Sequence, residues 1–398
     1  MEAVASGVNR AEDWSAANTA ALVGSPPLSV IGVDPERGFG GGETQVLGLT
    51  LALRAAGIRA ELACDPDGAL AQRAHHAGVR CHPLRIRNSI DVGAGLRLRM
   101  LLERERFDVV HFHTARAHAL APYAYGGRRA LVVTRRMDYV PNRLFAKWLY
   151  ERSVDGIAAI STPVAAALSR AGVASERITI IPSGVDCERF SPASESVRTR
   201  ARAALGLRED EVAIGTVAAL EPRKGHRLLL EAIARLAGHT GTDAIRCFIA
   251  GAGSMRTRLL ADIERLEIAP LINLMGYLDD PRQLLSALDI FVLPSLNEGL
   301  GVAALEAMAS ALPAVVSNSG GLAELVEDGR TGYKFASGDV CGLARAIARL
   351  TRERARGRLG MAARAMIVER FGMEAMARGT LELYRTCLDK VRHQHRSE

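Results

Sequence analysis

Two carboxylates flank a glycine-rich turn in the stretch PSLNEGLGVAALEAMASALPAVV, residues 294–316. The run IFVLPS (290–295) reads as a short buried strand. The segment from Leu300 to Ala311, rich in Ala, Leu, Met and Glu without internal proline, reads as a helix that stops before Pro313. Glu298 then falls in the strand-to-helix turn. Glu306 lies in the second helical turn, about 7 Å along the axis from Gly301 at 1.5 Å per residue. Backbone N–H groups at such a helix start suit an anionic group. Taken alone, the two glutamates read more readily as solvated carboxylates on a surface helix than as a site.

Other turns widen the pattern. GFGGGETQ (38–45), EPRKGH (221–226), Gly251-x-Gly253 and SGGLAEL (319–325) each follow a short apolar run. Each alone is weak, because glycine in a βα turn often only permits tight backbone geometry. Together with Lys224 and the glutamate pair they gather on one edge, and a diphosphate held between two domains would use that chemistry. His111 and His113 alternate on a strand and so face one side. With His118 they suggest a structural or substrate-contacting role rather than a metal site, since no carboxylate cluster accompanies them. Asp65-Pro66-Asp67 is too short and common a pattern to define a metal. No Ser-His-Asp or Cys-His set stands out.

The elements that must position these residues alternate along the chain. Apolar strands are expected at 28–34, 59–65, 79–86, 109–114, 130–136, 156–161 and 178–186. After a polar linker at 187–195 a second series follows at 212–220, 244–251, 272–278, 290–295, 314–318 and 332–335. Nearly continuous apolar strands separated by helices imply parallel sheets covered on both faces, whose ligands bind beyond the carboxyl ends of the strands. A chain of 398 residues exceeds one ordinary core. Two doubly wound domains are therefore expected, 28–190 and 191–370, after a loose tail at 1–27 and before a terminal helix at 371–398. The tail lacks the basic start and apolar stretch of a secretory signal, and no run of about 18 apolar residues suggests a membrane span. The six scattered cysteines favour buried thiols in a reducing cytoplasm.

The net charge of +7 is concentrated: Arg80 to Arg152 holds 15 Lys or Arg against 6 Asp or Glu. Such a patch suits an anionic lipid surface or a phosphorylated acceptor better than nucleic acid, for which no motif is present. The segment YVPNRLFAKWLYERSVD (139–155) reads as a helix that packs on its sheet, with a membrane-surface helix as the rival reading.

In order and spacing, the GGGE turn, VVHFHT, ITIIPSGVD, LEPRKGHRLLLEA, IAGAGSMR, the Glu-x7-Glu of Glu298 and Glu306, and GGLAELVEDGRTGYKF resemble the retaining glycosyltransferases of family 4, over nearly the whole chain after residue 27. The resemblance implies the GT-B fold, two Rossmann-like domains facing across a cleft, the first for acceptor and the second for nucleotide sugar. It implies transfer of a hexose-type sugar from a nucleotide diphosphate, most often UDP, to a hydroxyl of a lipopolysaccharide or cell-surface polysaccharide precursor. No metal or other cofactor is implied. Glu306 would bind the ribose hydroxyls, Glu298 the donor-sugar hydroxyls, and the amides of Leu300, Gly301 and Val302 the sugar and diphosphate. Lys224 would neutralise the departing diphosphate, with Arg223, Gly251, Gly253, Gly320 and Gly321 around the donor and Gly41 and Gly42 reaching it from the first domain. Two positions depart from the family. Ala219 stands where an arginine is usual, and Arg136 where many members have a histidine. A guanidinium cannot act as a general base, so Arg136, grouped with Glu298 and Lys224 as catalytic, is also placed with Arg135 and His113 on an acidic or phosphorylated acceptor. The enzyme would work in the cytoplasm, with peripheral attachment to the inner face of the membrane as an extension. The competing readings are a nucleotide-sugar epimerase or hydrolase on the same fold and a noncatalytic sugar-nucleotide-binding protein.

Overall fold

The computed structural model describes residues 28–237, 245–352 and 356–397, so the tail expected at 1–27 lies outside the described residues. The chain divides into two compact units, Met1–Gly184 with Met373–Glu398, and Val185–Gly372. Each is built on its own parallel sheet, as the apolar strand runs require.

In the first unit the strands are β1 (Ser29–Asp34), β2 (Arg59–Cys64), β3 (Cys81–Pro83), β4 (Val109–Phe112), β5 (Ala130–Arg135), β6 (Gly156–Ala159) and β7 (Ile178–Ile180). Their order is β3-β2-β1-β4-β5-β6-β7. The second unit has β8 (Val212–Val217), β9 (Ile245–Ala250), β10 (Ile272–Gly276), β11 (Ile290–Leu293), β12 (Ala314–Ser317) and β13 (Gly332–Phe335), in the order β10-β9-β8-β11-β12-β13. In both sheets the order reverses beside the first strand, between β1 and β4 and between β8 and β11. The helices leaving these neighbours diverge to opposite faces, which opens a crevice at the carboxyl ends.

Five helices matter for the sites: α1 (Gly41–Ala55), α2 (His226–Ala237), α3 (Val302–Ala309), α4 (Arg356–Phe371) and α5 (Met373–Ser397). Although last in the chain, α5 belongs to the first unit. Its Leu381, Tyr384, Cys387 and Leu388 are buried with Val30, Val109, Val132 and Ala158 of the sheet. Glycines make room for it: a Cβ on Gly156 would stand 2.5 Å from Cys387 Sγ. The core of the second unit is separate, with Ile214, Ile249, Val292 and Val315 packed under Leu229, Ile233, Leu343 and Ile347.

Three local expectations are corrected. The helix after β11 spans Val302–Ala309 rather than Leu300 to Ala311, because Gly301 (φ 93) and Ala311 (φ 61) both leave the right-handed region. The segment 139–155 is not one helix: a short turn at Arg143–Ala146 widens into a π-helical turn at Lys147–Glu151. The strand expected at 178–186 stops at Ile180.

Candidate active site

The second unit gathers the glutamate pair and Lys224 at its switch point. Chain leaving β8 makes a 3-10 turn at Pro222–Lys224 that ends at Gly225 (φ 69). A Cβ there would lie 2.0 Å from Pro294 O, so only glycine lets this turn meet the end of β11. The Leu296 amide donates to Arg223 O at 2.7 Å, fastening the two turns. The chain after β12 clamps the Glu298 turn from its other side. There Ser319 Oγ donates to Leu296 O at 2.7 Å, the Gly321 amide to Glu298 O at 3.0 Å, and Ser317 Oγ to Ser295 O. A Cβ on Gly321 would stand 2.1 Å from Gly299 O.

Within this frame Lys224 Nζ donates to Glu298 Oε2, and both side chains are largely buried. Ser295 Oγ adds a second hydrogen bond to the same oxygen at 3.2 Å. Beside them the N-terminus of α3 is open: among the described residues the amides of Leu300, Gly301 and Val302 donate to no protein group. Gly301 takes its left-handed conformation against Leu322 Cδ2, which a Cβ would approach to 2.5 Å. Glu306 is half-buried and its carboxylate has no hydrogen-bond partner among the described residues. Burial raises its pKa to about 7, opposed by the charge of Arg189 and reinforced by that of Asp280. A carboxylate held this way can accept hydrogen bonds from a vicinal diol, and open amides with a lysine can take an oxyanion.

The other glycines and Arg223 are placed differently. The Gly251 amide is engaged by Gly276 O at 2.7 Å, and a Cβ there would stand 1.9 Å from Ala218 O. Gly253 approaches Leu220 O in the same way. Both glycines let the β8 and β9 loops touch. Arg223 is paired with Glu221 at 2.8 Å. At Ala219 the carbonyl faces His226 Nε2 at 3.0 Å. Burial lowers the pKa of His226, so its neutral ring caps that carbonyl.

The first unit has its own pocket at the switch point between β1 and β4, about 200 Å³ in volume. Asp34 enters from the end of β1, His113 from beyond β4, Thr134, Arg135 and Arg136 from β5 and its exit, and Gly42 and Glu43 from the start of α1. The amide of Gly40 donates to Glu43 Oε2 at 2.7 Å, fixing the helix start. His111 bridges Tyr384 Oη and Thr134 Oγ1 at 2.6 Å each, and its ring lies 4.0 Å from that of His113. His118 contacts Thr134 O at 3.1 Å. Burial pushes all three imidazoles below their ordinary range, His118 to about 3, so they stand neutral. Arg135 is engaged with its own loop, donating to Met137 O and Tyr139 O and stacking 4.3 Å over the Tyr139 ring. Arg136, by contrast, makes no hydrogen bond or ion pair among the described residues; burial lowers its pKa, while Asp34 and Glu43 raise it. Sequence reasoning passes over Asp34, Ser295 and Thr134. The signal for Asp34 was its place at the carboxyl end of the first strand.

Comparison with known proteins gives this arrangement a family. Residues 197–366 match Glycosyl transferases group 1 and residues 39–189 match Glycosyltransferase Family 4. The chain is 30% identical to the lipopolysaccharide core biosynthesis glycosyltransferase LpsE of Rhizobium meliloti, over 72% of this chain and 78% of that protein. It is 33% identical to a D-inositol 3-phosphate glycosyltransferase of Corynebacterium urealyticum over 53% of this chain, and spans about half (51%) of that relative's length. The structure of Anabaena Alr3699/HepE in complex with UDP superposes with a TM-score of 0.80 at 21% identity, covering 90% of this chain and all (100%) of that one. A glycosyltransferase from Rickettsia africae gives 0.82 at 19% identity, covering 92% and 99%. The chain belongs to the GT-B glycosyltransferases.

Proposed function

We propose that the protein is a retaining glycosyltransferase that uses a nucleotide diphosphate sugar and glycosylates a hydroxyl of a lipopolysaccharide or cell-surface polysaccharide precursor. The observation that carries this reading is the Lys224–Glu298 pair beside the open N-terminus of α3, with the unpartnered Glu306 one turn further along. Glu306 accepts from the ribose diol. The amides of Leu300 to Val302 and Lys224 bind the diphosphate, and Glu298 takes the donor-sugar hydroxyls as Lys224 turns to phosphate.

In the reaction the bond from the anomeric carbon to the diphosphate oxygen breaks with its electron pair going to phosphate. The acceptor oxygen bonds to the same face of that carbon, and the acceptor proton passes to the leaving phosphate. Negative charge grows on the diphosphate, where Lys224 and the helix amides stabilise it. This assignment needs no resident divalent metal. The related proteins support the substrates: HepE is described in complex with UDP, LpsE acts in lipopolysaccharide core biosynthesis, and an Escherichia coli relative is a UDP-galactose transferase onto a diphosphoundecaprenol-linked sugar. Arg136, Arg135 and His113 are assigned to the acceptor side. No helix among the described residues is long and apolar enough to cross a membrane. Leu144 and Trp148, 81% and 48% exposed beside Arg143 and Lys147, form a face suited to an anionic bilayer.

The test is turnover of UDP-, GDP- and ADP-sugars against a panel of glycan and lipid-linked acceptors, with product anomers read by NMR. Expected is an acceptor-dependent product that keeps the donor's anomeric configuration and forms equally in the presence of EDTA. An inverted product removes the retaining assignment, and loss of activity with EDTA removes the metal-free one. For the membrane face, anionic vesicles should co-sediment the protein at about 0.1 M salt and release it near 1 M, where the Debye length falls to about 3 Å. Indifference to anionic vesicles at low salt removes that part alone.

A further inference from the structure

The pocket of the first unit leaves three polar groups waiting for partners. Asp34 is 1% exposed, and while its Oδ1 accepts from the Glu36 amide at 3.0 Å, its Oδ2 has no hydrogen bond. His113, 4% exposed, has an unpartnered Nδ1. The Arg136 guanidinium has neither a hydrogen bond nor an ion pair among the described residues. Buried polar groups in native proteins are almost always satisfied; Asp34 and His113 are two exceptions at one pocket, and with the half-buried, unpaired Arg136 beside them they point to a ligand that satisfies all three.

Charge decides what kind. The histidines are neutral, so the fixed charges are those of Arg135, Arg136, Glu43 and Asp34. Burial raises Asp34 to about 7, against which the Glu36 amide and Arg136 act and with which Glu43 and Glu36 act. Near neutral pH it therefore carries only part of a charge. The two arginines outweigh Glu43 and that fraction, so the empty pocket favours an anion. Its volume of about 200 Å³ lies below the roughly 300–1,000 Å³ of sites for drug-sized ligands, so it fits a single sugar ring.

Resting on the acceptor assignment above, we propose that this pocket takes a hexose-sized, hydroxyl-bearing anion, its carboxylate or phosphate paired with Arg136 and a ring hydroxyl hydrogen-bonded to Asp34. Planar guanidinium binds either oxyanion bidentately. Asp34 Oδ2 supplies the partner that separates a sugar from a bare anion, and Asp34 becomes a specificity-determining residue.

The test is ligand-observed NMR titration of the full chain with glucuronate, glucose 6-phosphate, glucose and inorganic phosphate. At least one sugar anion should bind and glucose should bind about tenfold more weakly or less; which of the two anions prevails identifies carboxylate or phosphate. Arg136→Gln should weaken the sugar anion about tenfold to a hundredfold, the range of a lost charge-assisted hydrogen bond, while Arg136→Lys keeps part of the affinity. Asp34→Ala should weaken the sugar anions while inorganic phosphate binds no more weakly than to the wild type. Lys224→Met, which removes the cation of the second unit, should leave sugar-anion binding intact. The proposal is overturned if neither sugar anion binds, if glucose binds as well, or if binding survives Arg136→Gln but is lost in Lys224→Met. Anion binding without sugar transfer from any donor would leave this inference and remove the transferase reading. Transfer to neutral acceptors alone, with no anion bound, would do the reverse.

Discussion

Glu306 shows how one side chain can tie stability to ligand binding. Burial holds its pKa near 7, against 4.5 for the free group. Between those values the unfolded chain has released this proton and the folded chain has kept it, so stability from this group falls as pH rises through that window. Glu306→Gln should accordingly raise the melting temperature of the unliganded protein at about pH 8 and change it little near pH 4.5, as thermal scans would show. UDP affinity should move oppositely. The ionised form is the better acceptor for ribose hydroxyls, so wild-type binding should strengthen from about pH 6 to 8, and the variant should lose about 1–3 kcal/mol at the upper end with a flat profile. Calorimetric titration at both pH values decides it, and equal UDP affinity in the two proteins would refute the ribose assignment. Lys224 belongs to the same scale. Lys224→Met should lower kcat by about a hundredfold to a thousandfold, the usual loss when a fixed transition-state stabiliser is removed. Loss of donor affinity at unchanged kcat would instead assign it to ground-state binding.

At the scale of elements, the second unit's site depends on turns that only glycine can make. Gly301 sets the start of α3 with φ 93, and a Cβ there would meet Leu322 Cδ2 at 2.5 Å and push it aside. Gly301→Ala is expected to cost about 1–2 kcal/mol for the left-handed backbone alone, more with the clash, and to shift the open amides. Melting temperature and UDP-induced stabilisation should both drop, and an unchanged UDP shift would show that the amides do not bind phosphate. The Gly251 and Gly253 turn illustrates the opposite outcome. The pattern is that of a phosphate loop, but the Gly251 amide is already engaged by Gly276 O and both glycines serve the approach of two backbones.

At the scale of the molecule, two units with separate cores share one chain, and the first is completed by the last helix. Leu381 is 1% exposed in the core that α5 shares with the first sheet. Leu381→Ala should destabilise that unit by about 2–5 kcal/mol, the range for a buried leucine cut to alanine. Scanning calorimetry should show one transition lowered while the transition that UDP raises stays in place. A uniform fall of both would mean that the units unfold as one.

Much of this was legible from residue order alone. Short apolar runs alternating with helical patterns read as strands buried on both faces, so both parallel sheets and their ligand-binding edges were legible from the order of elements. Glu298 and Lys224 were visible as chemistry in turns, and Glu306 in the helix that follows the first of them. Partnership was not visible, because it depends on contacts between residues far apart in sequence. Lys224 pairs with Glu298 only because Gly225 lets two turns meet, and Arg223 beside it is drawn off by Glu221. Arg135 and Arg136 are neighbours of one type, yet the first is engaged with carbonyls of its own loop and the second stands open beside Asp34. The sequence determined the elements, since local pattern and burial are enough to choose them. Only the tertiary structure decided which charges are satisfied, because satisfaction of a buried polar group depends on what the fold brings within about 3 Å of it.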